Sequence, residues 1–164
     1  MLVYDAARFD AEFSGLFRFR AAGFFRGVIC VRGSTYLDAE LVHVLHHEFV
    51  HAALEQEAPA SLAIPGWINE GLAEWFAYRA LGKRGLSGSE AAYLEQASRT
   101  GELPSLTSLA APSFAGLSAE YAGTAYLTSY AAIADLIGRG GERRFASFLA
   151  DFLRGGRLER SLRR

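Results

Sequence analysis

The sequence predicts an α+β fold, a small N-terminal β-sheet followed by a mostly helical region. Two observations carry this. Leu16-Phe17-Arg18-Phe19-Arg20 alternates apolar and basic residues, the period-two pattern of a half-buried strand, and residues 24–31 form a second, apolar run. Beyond Asp38 the period becomes helical, with Leu41, Val44, Leu45, Phe49 and Ala52 recurring on it.

Taken in order, Ala21-Ala22-Gly23 connects the two strand-like runs tightly enough for a hairpin between 16–20 and 24–31. Gly33-Ser34 breaks the pattern. Asp38 is a suitable N-cap for a helix reaching Glu57, because its short carboxylate can accept an otherwise unpaired backbone N–H of the first turn. Ala58-Pro59-Ala60-Ser61 opens a loop that runs to Pro65-Gly66. A second helix is expected over 67–81, closed by Gly82, and a third over 89–98, with Ser87 and Glu90 as a capping box. Residues 101–117 hold two prolines and little periodicity, so they read as loop or broken turns. Two further helices are expected over 119–138 and 142–153, split by Gly140-Gly141. There are no repeats.

Composition narrows the function classes. The 164 residues suit one domain spanning 1–164, and a hydrophobic fraction of 51% supplies a core. A net charge of −1 offers no global attraction for nucleic acid. The 155–164 segment carries Arg157, Arg160, Arg163 and Arg164 against Glu159, which reads first as a solvated helical tail and otherwise as a membrane-surface or partner contact. Cys30 is the sole cysteine, so no internal disulfide and no thiolate-rich zinc site can form, and its apolar neighbours predict a buried structural thiol. The first residues lack a basic region followed by an apolar stretch, so no signal peptide is expected. The longest apolar stretch, 121–138, is interrupted by Asp135 and reads as a buried helix, not a membrane span. A monomer is expected.

The chemistry lies in His47-Glu48-Phe49-Val50-His51. Residues four apart sit about one turn apart on one helix face, so His47 and His51 can direct imidazole nitrogens at one ion. Glu48, turned by about 100° from His47, is placed beside that ion without being a ligand. There it can take a proton from a water that the metal has acidified. A catalytic zinc site needs a third protein ligand and one open position. Glu70 can supply that ligand from Pro65-Gly66-Trp67-Ile68-Asn69-Glu70-Gly71-Leu72-Ala73-Glu74-Trp75. Eighteen residues separate His51 from Glu70, enough for a turn of helix, a loop and an antiparallel return. Glu74, one turn later on the same face, can accept a hydrogen bond from the far nitrogen of a ligand histidine. Trp67, Leu72, Trp75 and Phe76 mark this helix as packed, which favours a metal over a solvated acidic face.

The His-Glu-x-x-His motif, the eighteen-residue spacer and the Asn-Glu-Gly that follows resemble the gluzincin metallopeptidases, the group of thermolysin-like and aminopeptidase-N-like enzymes. The phrase from Pro65 to Trp75 is most similar to the small peptidase MA-like domains, and the similarity covers residues 39–78 well. The resemblance implies a zincin-like domain with the His-Glu-x-x-His helix and an antiparallel helix carrying the glutamate ligand. It implies zinc bound by His47, His51 and Glu70, Glu48 as general base, Glu74 behind the ligands, and peptide-bond hydrolysis on a peptide or protein substrate. In the aminopeptidase-like enzymes a tyrosine at the opening of a helix steadies the oxyanion. Tyr126, followed by Tyr130, Ile133, Leu136, Gly140-Gly141 and Phe145, is similar in layout, with Tyr121 and Tyr130 as alternates.

Two departures from the family shape the expectation. The run 24–31 lacks the acid that grips a substrate's free amine in aminopeptidases, which favours an endopeptidase. Thermolysin's further catalytic histidine has no counterpart, because all four histidines lie between 43 and 51. His43 offers an alternative metal pair with His47, and His46 is expected to face solvent or cap a neighbour. The competing function is a catalytically silent zinc-containing peptide-binding module, or a latent peptidase domain of a larger protein. The intact Glu48 argues against it, since a binding site needs no base.

Overall fold

In the computed structural model, which describes residues 1–33, 38–59 and 62–158, the chain begins with strand β1 (Leu2–Tyr4) and helix α1 (Ala6–Phe13). Neither was expected from periodicity. Three residues are too few to show alternation, and α1 owes its start to the Asp5 side chain, which accepts the Arg8 N–H. Strands β2 (Gly23–Phe25) and β3 (Ile29–Arg32) complete a sheet of order β1-β3-β2. β1 runs parallel to β3, pairing Leu2 with Cys30, and β2 runs antiparallel to it, pairing Phe24 with Cys30.

The hairpin therefore forms inside the 24–31 run and not between 16–20 and 24–31. Residues 14–16 make a 3-10 turn and 17–20 are irregular. Gly27, at φ +71°, supplies the left-handed residue that lets β2 reverse into β3. Among the described residues the apolar–basic alternation at 16–20 has no strand beside it. The Arg18 N–H is donated to the Ala115 carbonyl of a distant loop, and the Phe17 ring packs on Phe24 and Phe19. Alternation alone does not make a strand where no partner edge is available.

The helices fall close to expectation. They are α2 (Ala39–Glu57), α3 (Gly66–Ala80), α4 (Gly88–Thr100), α5 (Ala119–Gly140) and α6 (Glu142–Leu153). Asp38 caps α2 by accepting the Leu41 N–H, and Ser87 with Glu90 forms the complete capping box of α4. Gly141, at φ +78°, separates α5 from α6. A 3-10 turn at Ser108–Ala110 interrupts the expected loop. α6 ends at Leu153, and Gly155 at φ +90° turns the chain before the exposed Arg157; Glu159, Arg160, Arg163 and Arg164, on which the expected helical tail mostly falls, lie outside the described residues. Ser34, Ala60 and Ser61 do as well.

The core lies where α2, α3, α5 and α6 meet, with Leu54, Ile68, Leu72, Ile133 and Phe152 among its members. Gly71 sets the spacing of α3 and α5. A Cβ at that position would stand 2.4 Å from the Ser129 carbonyl oxygen, so only a glycine lets the two backbones approach this closely. Cys30 is buried, as expected. Phe49 and Phe76 depart from the packing expected of them, remaining 65% and 47% exposed. The inward side of α2 is occupied by Val44, His47, Glu48, Val50 and Leu54. Among the described residues no helix is long and apolar enough to cross a membrane.

Candidate metal centre

α2 and α3 lie antiparallel, as the pairing of their side chains requires. Advancing along α2 from His43 through His47 to His51, the carboxylate opposite retreats along α3 from Glu74 to Glu70. Three histidines at one-turn steps on α2 thus interleave with two carboxylates one turn apart on α3. Each helix is held to this register by the core beneath it, α2 through Val50 and Leu54, α3 through Ile68 and Leu72.

His47, His51 and Glu70 converge. Glu70 Oε2 lies 3.3 Å from His47 Nε2 and 3.3 Å from His51 Nε2, and one ligand atom from each residue falls within 4.8 Å of the others. All three side chains are nearly buried. Glu70 Oε2 is inaccessible to solvent yet accepts no hydrogen bond from either ring. A buried carboxylate oxygen with unused lone pairs is costly unless something else meets it. Two bonds of about 2.1 Å at the tetrahedral angle leave their ligand atoms about 3.4 Å apart, and the two observed separations match that edge. The donor set, two imidazole nitrogens and a carboxylate, fits a metal ion. These buried His and Glu groups could therefore bind one.

Behind the rings stands a second layer. His51 Nδ1 is 2.9 Å from Asn69 Oδ1 and donates to it, which leaves the Nε2 lone pair facing Glu70. His47 Nδ1 lies 3.0 Å from Glu74 Oε1, an ion-pair distance, although the N–H is not aimed straight enough to count as a hydrogen bond. Asn69 carried no assigned role in the sequence. Its signal was its place directly before Glu70, where it reaches the same histidine from the side.

The electrostatics follow from burial and pairing. Burial disfavours a charged His47, but the Glu70 and Glu74 carboxylates close beside its ring outweigh it and raise the imidazole to about 10. His51 is raised in the same way against its burial, chiefly by Glu70. Burial would push Glu70 up, and His47 and His51 instead bring it to about 2; for Glu74 the opposing partners are His43 and His47, with the same result of about 2. These are groups whose surroundings demand positive charge among the carboxylates, which a cation also satisfies.

Glu48 is buried, and its Oε2 has no hydrogen-bond partner. Burial is the main cause that pushes its carboxyl group up, against the pull of His47 and His51. Glu48 lines a cleft of about 500 Å³ together with His47, His51, Glu70, Tyr126 and the edge strand β2. Tyr126 thus joins the cluster. Its ring centroid is 6.0 Å from that of His47, and burial, followed by the charges of Glu70, Glu74 and Glu48, drives its phenol well above the usual tyrosine range. It sits two turns inside α5 and not at the opening of a helix, where the resemblance would have put it.

The alternates lie elsewhere. Tyr130 is buried with its ring stacked on Tyr78 at 4.5 Å, and Tyr121 packs against the hydrophobic core. His46 is exposed, with Nδ1 2.8 Å from the Val42 carbonyl. His43 does pair with His47, though through a shared carboxylate: its Nε2 is 3.3 Å from Glu74 Oε1. Comparison with protein-family models, with curated proteins and with solved structures finds no match to this chain.

Proposed function

We propose that this chain is a zinc-dependent metallopeptidase of the gluzincin type, built on a zincin-like arrangement and cleaving peptide bonds within a chain. The observation that carries the reading is Glu48. A buried carboxylate whose Oε2 has no partner lines the same cleft as the convergent His47, His51 and Glu70. A binding site gains nothing from such a group, whereas a hydrolase needs a base there. Two imidazoles and one carboxylate without a thiolate suit zinc.

When bound, zinc supplies Lewis acidity, polarising the scissile carbonyl and making water a nucleophile near neutral pH. The protein's own groups do the rest. Asn69 and Glu74 keep the Nδ1 protons of His51 and His47 on the outer side, so that both Nε2 lone pairs face inward. Glu48 takes the proton of the attacking water and passes it to the leaving amine, and burial, by raising its carboxyl group, suits it to accept and then return a proton. Tyr126 donates its phenolic proton as a hydrogen bond to the oxyanion. The substrate enters as an extended peptide and adds to the edge of β2, whose backbone borders the cleft. The substrate is a peptide or protein, and the enzyme acts as a monomer without nucleic acid.

The test is cleavage of casein or a quenched-fluorescence peptide by purified protein of known zinc content. Activity that a chelator abolishes and zinc restores supports the reading. Stoichiometric zinc with no cleavage of any peptide library would assign the chain to a silent binding module instead.

A further inference from the structure

Glu74 Oε1 faces two histidines at once, His47 Nδ1 at 3.0 Å and His43 Nε2 at 3.3 Å. His43 sits one turn before His47 on α2, with its ring 6.1 Å from the His47 ring and nearly parallel to it at 27°. Tyr78 meets the His43 ring edge-on at 6.0 Å and holds it from the α3 side. His43 lines neither the cleft nor the convergence on Glu70. Its hydrogen bond goes only outward, to the carboxylate behind His47.

We propose that His43 is a positioning residue for the metal site, anchoring Glu74 so that this carboxylate fixes the tautomer and tilt of His47. The proposal rests on the reading of His47, His51 and Glu70 as metal ligands. The physical need is visible in the geometry. His47 points its Nδ1–H at Glu74 imperfectly, so the orientation of that carboxylate decides whether the proton stays on Nδ1 and the lone pair on Nε2. A carboxylate on a rotatable stem needs a second donor to hold its plane, and His43 meets the same oxygen. The same three groups lie close enough to take an ion themselves. That would require His47 to offer a lone pair from both ring nitrogens, Nε2 to one ion and Nδ1 to another, which a neutral imidazole cannot do. A chain from His43 through Glu74 Oε1 to His47 uses each ring nitrogen once.

The test is zinc affinity of the full chain, measured by competition with a chromophoric chelator, alongside the melting temperature of chelator-stripped protein. Glu74→Ala is expected to weaken zinc about 10–100-fold, as loss of a ligand's outer partner does. His43→Phe, which keeps a ring against Tyr78 but donates nothing, is expected to weaken it roughly tenfold. His43→Gln, which restores an N–H, recovers most of that loss, and His46→Ala leaves affinity unchanged. The stripped proteins melt together. His43→Ala serves in place of His43→Phe if the latter does not fold. Wild-type affinity in His43→Phe beside a weakened Glu74→Ala overturns the inference and spares the metal site. A zinc loss that follows a fall in the stripped melting temperature, without rescue by His43→Gln, reduces His43 to packing and also overturns it. Two zinc ions per chain falling to one in His43→Phe assigns the cluster to a second ion instead. Wild-type protein that takes up no zinc removes both this inference and the reading beneath it.

Discussion

Asn69 Oδ1 accepts the Nδ1–H of His51 at 2.9 Å, from the position directly before Glu70. One turn of α3 therefore carries both a carboxylate that meets the Nε2 side of His51 and the amide that fixes its Nδ1 side. Asn69→Ala removes the second while leaving the first. The expected outcome is zinc affinity weakened about 10–100-fold with the fold retained, checked by chelator competition and circular dichroism. Asn69→Asp should bind at least as well as wild type, because a carboxylate accepts the same proton.

Glu48 and His51 separate by what each loses. Glu48→Gln keeps the shape of the side chain and removes the base, so zinc content and fold stay while turnover drops by about three decades or more. His51→Ala removes a ligand and takes both zinc and activity with it. Metal analysis and peptide cleavage on the two variants check this, and wild-type turnover in Glu48→Gln would take the base role away from that residue.

Tyr126 reaches the cleft while Tyr121 and Tyr130 do not line it. Loss of a single oxyanion donor costs about 10²–10³ in turnover. Tyr126→Phe is expected to show that loss in kcat with zinc content and melting temperature near wild type. Tyr130→Phe, whose ring stays stacked on Tyr78, leaves kcat unchanged. The reverse pattern would move the role.

Gly71 tests the scaffold and not the chemistry. A Cβ there would fall 2.4 Å from the Ser129 oxygen and 2.8 Å from an Ile133 side-chain carbon. Neither can yield without parting α3 from α5. Gly71→Ala should destabilise by about 3 kcal/mol or somewhat more, lowering the melting temperature by roughly 6–12 °C. Gly123→Ala, where a Cβ meets nothing within 4 Å, serves as the control in the same calorimetric scan.

The helices were legible because their signals are local. Asp38, Ser87 and Gly141 act on backbone groups within a few residues, and the periodicity between them repeats often enough to be read. The sheet was less so. β1 is too short for a pattern, and whether Phe17 and Phe19 belong to a strand depends on a partner edge that only the folded chain can offer.

The same division runs through the candidate site. Spacing by itself determined that His47 and His51 share one face of a helix and that Glu70 and Glu74 share one face of the next, since a turn of helix is set by the backbone. Only the tertiary structure decided how the two faces interleave: Glu70 between the Nε2 atoms, Glu74 behind His47 with His43, Asn69 behind His51. That register comes from α2, α3 and α5 closing on a common core, with Gly71 admitting the backbone of α5. Packing between elements distant in sequence has no local period. It likewise brought Tyr126 from two turns inside α5 to the cleft beside Glu48, a contact that no spacing within its own helix records.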